Sequence, residues 1–267
     1  MATFLFDSTV FGPVKSRRLG ISLGVNLLPN NSKLCNYNCI YCECGLNKKT
    51  SAAAVLPTHK NVREMLENRL CEMMLAGEPL DVITFAGNGE PTLHPDFGII
   101  VSETTFLKQA YFPAARIAVL TNGTMLHRKD VAEGLRKADM TIIKIDSAVD
   151  ETYITLNQPS GNISVEDIVK KIGKFNGKFI LQTMFIHGSF NGIPVDNTTE
   201  YEVEQWIKLV HKIKPESVMV YTIDREPAVK DIKKVSQARL QEIASQVKSL
   251  GIKVTVYSFV FHLYYKI

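Results

Sequence analysis

The sequence predicts an α/β fold built on parallel strands, and three observations carry that expectation. Short β-rich runs alternate with helix-like segments, the alternation forms one uninterrupted series, and polar residues gather where the runs end. The first run, ISLGVNLL (21–28), leads directly into a cysteine-rich loop. LDVITFA (80–86), RIAVLTNG (116–123), DMTIIKID (139–146), KFILQTMFI (178–186), ESVMVYTI (216–223) and KVTVYSFVF (253–261) follow. Helical spacing fills the gaps at 59–77, near 97–110, 127–137, 164–174, 199–213 and 235–249. The last of these opens on Ser-x-x-Arg, spaces Leu240, Ile243, Val247 and Leu250 as one helix face, and stops at Gly251. A doubly wound sheet and a full or partial barrel both fit this series, and both put functional groups at the C-terminal ends of strands.

No linker rich in Gly, Ser or Pro interrupts the series and no internal repeat is visible, so 1–267 is expected to be one domain. Within it, 1–34 is a lead-in segment and first strand, 35–45 the cysteine loop, 46–251 the βα units, and 252–267 a C-terminal strand or tail. Hydrophobic residues at 45% and charged residues at 22% are ordinary for a globular chain. A net charge of +4, from 31 basic and 27 acidic residues, is too mild to argue for nucleic acid by itself. Only a three-residue apolar patch precedes Asp7, and no run approaches the ~18 apolar residues of a membrane span. The expectation is a cytoplasmic protein with no membrane partner.

The stretch CNYNCIYCECG holds four of the five cysteines. Cys35, Cys39 and Cys42 form C-x3-C-x2-C, whose members sit too close for mutual disulfides. No second ligand pair of zinc-finger type occurs downstream, and a C-x-x-C redox motif leaves one thiol unexplained. Three thiolates in one loop suit three irons of a [4Fe–4S] cluster, leaving the fourth iron open to a ligand. Cys44 is surplus and is read as a small loop residue. Cys71, among Leu66, Leu70 and Met74, is read as a buried small hydrophobe. His94, His187, His211 and His262 show no metal spacing and are read as structural or surface residues.

The pattern C-x3-C-x-aromatic-C resembles the signature of the radical S-adenosylmethionine (SAM) superfamily, with Tyr41 at the aromatic position. The resemblance implies a partial (β/α)6 TIM-like barrel, a [4Fe–4S] cluster on Cys35, Cys39 and Cys42, and Tyr41 against the SAM adenine. FAGNGEPTLHP ends the second run of the βα series and looks like the family's Gly-Gly-Glu position. Gly87, Asn88, Gly89 and Glu90 are the matching residues, holding the methionyl ammonium through backbone and carboxylate. Thr121-Asn122-Gly123 looks like the family's TNG turn, and Asn122 joins the expected SAM contacts. Lys144 and Asp146 lie two apart on one strand face, as a SAM contact or a paired bridge. Gln182, on a face with Met184, is a further candidate, and Tyr221 and Arg225 in YTIDR are candidate substrate contacts.

Upstream, FGPVKSRRLGISLGVNLLP looks like the lead-in of the branch related to the archaeal wyosine tRNA-base synthase. Arg17 and Arg18 are then candidates to clamp a substrate phosphate or carboxylate. The wyosine-forming enzymes carry extra N-terminal cysteines for a second cluster, and none precedes Cys35 here, so their reaction with pyruvate is not implied. The implied chemistry is reductive cleavage of SAM to a 5′-deoxyadenosyl radical that takes hydrogen from a substrate. The implied partners are a flavodoxin- or ferredoxin-like electron donor and a tRNA or protein substrate. Two other functions fit the same residues, a glycyl-radical activating enzyme and a non-catalytic metal-binding sensor or adaptor.

Overall fold

The computed structural model describes residues 4–16, 18–47, 55–224, 227 and 229–257. Its main sheet has eight strands. β1 (Val10–Ser16) and β2 (Gly20–Val25) form an antiparallel hairpin at one edge. β2 then pairs in parallel with β3 (Val82–Phe85), followed by β4 (Arg116–Thr121) and β5 (Met140–Lys144). β6 (Ile180–Met184), β9 (Ser217–Tyr221) and β11 (Lys253–Tyr257) complete the row, all in parallel. The crossovers carry α1 (His59–Leu75), α2 (Phe97–Tyr111), α3 (Lys129–Lys137), α4 (Asp150–Asn157), α5 (Val165–Phe175), α6 (Glu200–Ile213) and α7 (Gln237–Ser249). A small antiparallel sheet, β7 (Ile186–Phe190) between β8 (Ile193–Asp196) and β10 (Ile232–Lys234), branches off after β6.

Strand order follows chain order, so crossovers of the usual hand put the longer helices on the same face. Side chains of the strands alternate accordingly. Ile83, Phe85, Ile117, Val119, Leu181, Val218 and Val220 pack under the helices with Leu66, Leu70, Val101, Trp206 and Ile243. Val82, Ala118, Ile142 and Met219 form a separate interior cluster, joined by Leu19 from the β1–β2 turn and by Tyr257. Arg18 of that turn stacks on the ring of Tyr221 in β9, 5.1 Å from its centroid. A residue beside β2 can meet one in β9 across the sheet only if the sheet curves into a trough. Among the described residues β1 and β11 are not paired with each other, and the fold is α/β in class, a mostly parallel sheet curved into a trough.

Helix starts follow local rules. Thr58, Ser164, Thr199 and Ser236 accept hydrogen bonds from backbone amides three residues on, satisfying donors left open by the first turn. Three features depart from the sequence reading. KFILQTMFI is two strands rather than one, because the chain leaves the main sheet at Phe185. The helix α4 and the strands β1, β8 and β10 were not expected. Cys71 is half-buried rather than enclosed. Within the segment 252–267, β11 runs to Tyr257, and 258–267 lie outside the described residues.

Candidate active site

Backbone bonds bolt the cysteine loop to the turn after β3. Leu34 donates to the Asn88 carbonyl (2.8 Å) and accepts from the Glu90 amide (3.1 Å), forming an isolated parallel bridge between Leu34 and Gly89. Gly89 adopts φ +144°, and a Cβ there would lie 1.8 Å from the Leu34 carbonyl, so only glycine allows the approach. Asn26, at the end of β2, braces the same turn by accepting from the Asn88 amide (3.1 Å). On its other side the loop lies against the end of α4. Asn38 donates to the Asn157 carbonyl (2.9 Å) and Ile40 to the Leu156 carbonyl (3.0 Å), with Tyr37 bridged to Pro159.

These ties place Cys35, Cys39, Cys42 and Cys44 on the wall of one cavity of about 250 Å³. Gly87, Gly89, Glu90, Asn122, Lys144, Gln182, Tyr41, Tyr221 and Arg18 line it as well. Residues from five strand ends and the cysteine loop thus meet in one place, at the C-terminal mouth of the trough.

Glu90 is buried. Its Oε1 accepts from the Thr92 amide (3.2 Å), the Thr92 hydroxyl (2.5 Å) and the Thr121 hydroxyl (2.7 Å), and Oε2 accepts from the Asn122 amide (2.7 Å). Burial raises its pKa above the carboxylate norm, while those hydrogen bonds favour the ionised form. Lys144 reaches the Tyr221 hydroxyl (2.6 Å), lies 3.7 Å from Asp146 and sits over the Tyr41 ring, 4.4 Å from its centroid. Burial is the largest influence and works against its charge, but Asp146, Tyr221 and Cys39 together outweigh it and hold the ammonium above its ordinary pKa. Gln182 accepts at 3.5 Å from the Tyr221 hydroxyl.

Two residues expected as contacts do not line the cavity. Asn88 is enclosed and spends its amide on the Phe6 and Pro29 carbonyls (2.8 Å each) and the Phe6 amide (2.9 Å), so its role is to hold the turn. Asp146 is also enclosed, fixed by the Met184 amide (2.9 Å), the Asn157 amide group (2.8 Å) and the Tyr41 hydroxyl. It supports Lys144 and Tyr41 from behind. Of the candidate substrate contacts, Arg18 and Tyr221 also border an adjoining cavity of about 240 Å³, with Met184, Ile223 and Tyr257. Arg17 and Arg225 lie outside the described residues. Asn26, Asn36 and Asn157 belong to the site framework but were not anticipated, since polar residues at strand and helix ends are common everywhere.

The donor set fits a cluster better than a single ion. Among the described residues no three His, Cys, Asp or Glu converge as ligands of one metal ion do. A cuboidal cluster takes each thiolate on a different iron, so its cysteines need only surround a shared space. Burial pushes the Cys35 and Cys39 thiols up, which a bound cation reverses. Cys42 is instead lowered to about 6, by a hydrogen bond from Cys44 acting against burial and helped by Lys33. Among the described residues no helix is long and apolar enough to cross a membrane.

A family model described as the radical SAM superfamily matches residues 32–200. A UPF0026 protein of Synechocystis is 32% identical over 217 residues, spanning 79% of this chain and 74% of that protein. A UPF0026 protein of Methanocaldococcus jannaschii is 29% identical over 228 residues, spanning 84% and 66%. A Brachyspira hyodysenteriae protein named GTPase Obg is 31% identical over 237 residues, spanning 87% of this chain and 32% of that one. The chain therefore covers about a third of that relative's length and about two thirds of the Methanocaldococcus protein's. Among solved structures, a radical SAM methyltransferase from Sphaerobacter thermophilus superposes with a TM-score of 0.64 at 15% identity, over 88% of this chain and 65% of that one. Streptococcus suis SuiB bound to S-adenosylmethionine gives 0.61 at 15% identity, over 85% and 49%.

Proposed function

Because this chain belongs to the radical SAM superfamily and groups with the UPF0026 proteins, we propose that it is an enzyme generating a 5′-deoxyadenosyl radical to take hydrogen from RNA or another large substrate. Its cofactors are a [4Fe–4S] cluster and S-adenosylmethionine. When bound, they supply one-electron reductive cleavage of the sulfonium, with the electron coming from a flavodoxin- or ferredoxin-like donor.

The observation that carries the reading is the shared wall. Cys35, Cys39 and Cys42 line one cavity with Gly87, Gly89 and Glu90, and the Leu34–Gly89 bridge holds the two segments in register. In this reading the three cysteines hold the cluster. Gly87 and Gly89 expose backbone, and Glu90 presents an anionic oxygen to an ammonium. Lys144 supplies a fixed positive charge for a carboxylate or ribose oxygen, with Gln182 and Asn122 beside it. Tyr41 offers a ring face whose tilt is set by Asp146. Arg18 and Tyr221, at the boundary with the adjoining cavity, contact substrate.

Kinship to the wyosine-related branch is part of the proposal and rests on the GPVKSRRLG lead-in; the reading of 1–267 as one domain is part of it too and rests on the uninterrupted series of strands and helices. Anaerobic reconstitution is expected to load about four irons per chain, with an absorbance shoulder near ~400 nm. Dithionite and SAM should then release 5′-deoxyadenosine. Cys39→Ala should abolish both. If that variant keeps its iron and its SAM cleavage, the assignment of ligands is wrong, and a colourless, zinc-loaded protein would overturn the whole reading.

A further inference from the structure

Asn157, the last residue of α4, was picked out by no motif, yet its side chain makes direct contact with one of the three cluster cysteines. Its Nδ2 lies 3.4 Å from Cys39 Sγ, 2.7 Å from the Tyr41 hydroxyl and 2.8 Å from Asp146 Oδ2. The residue is 1% exposed. The placement is set by backbone rather than chance. Amides of Asn38 and Ile40, on either side of Cys39, donate to the carbonyls of Asn157 and Leu156.

The orientation of the amide is set as well. Its nitrogen faces a carboxylate, a tyrosine oxygen and a sulfur, all acceptors, whereas Oδ1 has no hydrogen-bond partner among the described residues. Turning the group over would bring its oxygen against Asp146 and the sulfur, which is electrostatically unfavourable. The two N–H groups are therefore shared among Asp146, Tyr41 and Cys39. Cys35 receives its own hydrogen bond from a backbone amide, that of Tyr37 at 3.4 Å. At Cys39 the donor is a side chain, and so belongs to this sequence rather than to the loop geometry.

We propose that Asn157 is a positioning residue that keeps an N–H···S hydrogen bond on the Cys39 thiolate and so sets the potential at which the cluster accepts its electron. The proposal rests on the cluster assignment above. Reduction adds one electron to the cluster and makes its thiolates more electron-rich. A donor aimed at sulfur stabilises that reduced state over the oxidised one and raises the potential. The same amide group holds Asp146 and Tyr41, and Asp146 in turn faces Lys144 on the cavity wall. The cluster ligand and the SAM cavity are thereby joined through one side chain.

The test is a redox titration of anaerobically reconstituted protein, with dithionite and mediators, followed by the electron paramagnetic resonance signal of the reduced cluster. Wild type is compared with Asn157→Leu and Asn157→Asp, both of which lack the N–H donor. At matched iron content, each variant is expected to show a more negative midpoint. Loss of one charge-assisted hydrogen bond corresponds to about tenfold in the reduction equilibrium, or about 59 mV for a one-electron couple. An asparagine that served only to hold the fold would leave the midpoint where it is, and unchanged midpoints in both variants overturn the proposal. So does a variant that takes up no iron where wild type loads fully, since one outer hydrogen bond is not needed for three cysteines to bind. A wild-type chain that never loads a cluster refutes the cofactor assignment instead, and is recognised before any variant is compared.

Discussion

Cys42 differs from its neighbours in a way that iron-free protein reveals. With its pKa near 6, set by the Cys44 hydrogen bond and the Lys33 charge against burial, it is mostly thiolate at neutral pH. Cys35 and Cys39 are raised by burial and stay protonated. Thiolates, not thiols, attack iodoacetamide. Iron-free chain at pH 7 is therefore expected to carry the label first at Cys42, as read by peptide mass spectrometry. The rate should fall about tenfold per unit of pH below 6, following the thiolate fraction. Labelling that starts at Cys35 or Cys39 would contradict this ordering. At this scale the cysteine triad and the GNGE turn were legible, because their chemistry needs particular residues at particular spacings. Asn88 and Asp146 were legible only as polar residues near the site. Which way each side chain turns depends on partners such as Phe6, Pro29 and Met184, all distant or ambiguous in the sequence.

Among the elements, α5 is the one whose start carries a measurable signature. Ser164 and Asp167 form a reciprocal capping box, each side chain bonded to the other's backbone amide. Ser164→Ala is expected to lower stability by about 1 kcal/mol at pH 7, checked by urea unfolding. The Asp167 pKa is depressed, chiefly by the Ser164 backbone hydrogen bond. Its contribution is thus present above the unfolded carboxylate value and disappears as pH falls through the folded one. Below about pH 4 the gap between wild type and variant should begin to shrink. The six longer helices and seven parallel strands could be found from periodicity. By contrast, DETYITLN has three β-branched residues in eight and little intrinsic drive to form α4. Its helix is held by tertiary bonds, including the backbone ties to Asn38 and Ile40. β7 and β8 were obscured because they are short and carry a glycine and a proline, residues that weaken a strand pattern.

For the molecule as a whole, the junction between the two sheets depends on Asn197. It is enclosed, donates to the Asp146 (2.7 Å) and Met184 (2.8 Å) carbonyls, and accepts from the Ile186 amide (2.8 Å). Asn197→Ala leaves three buried backbone groups without those partners and is expected to cost about 3 kcal/mol. The single tryptophan reports the loss: Trp206 is buried against Phe185, next to the junction, and donates to the Thr183 hydroxyl (3.1 Å). Its fluorescence transition in urea should move to lower concentration without a change of slope. An unchanged midpoint would show that the small sheet is not coupled to the main one through this residue.

The amino-acid sequence alone determined the order of strands and helices, the parallel class of the sheet and the three thiols of the loop. Those properties rest on local periodicity and on spacings shorter than one loop. The tertiary structure alone decided that the loop is clamped between the turn after β3 and the end of α4, and that an asparagine more than a hundred residues beyond Cys39 meets its sulfur. Such meetings depend on how a curved sheet brings distant strand ends together. No local pattern encodes that, because the contacts are made by ordinary asparagines, threonines and backbone amides.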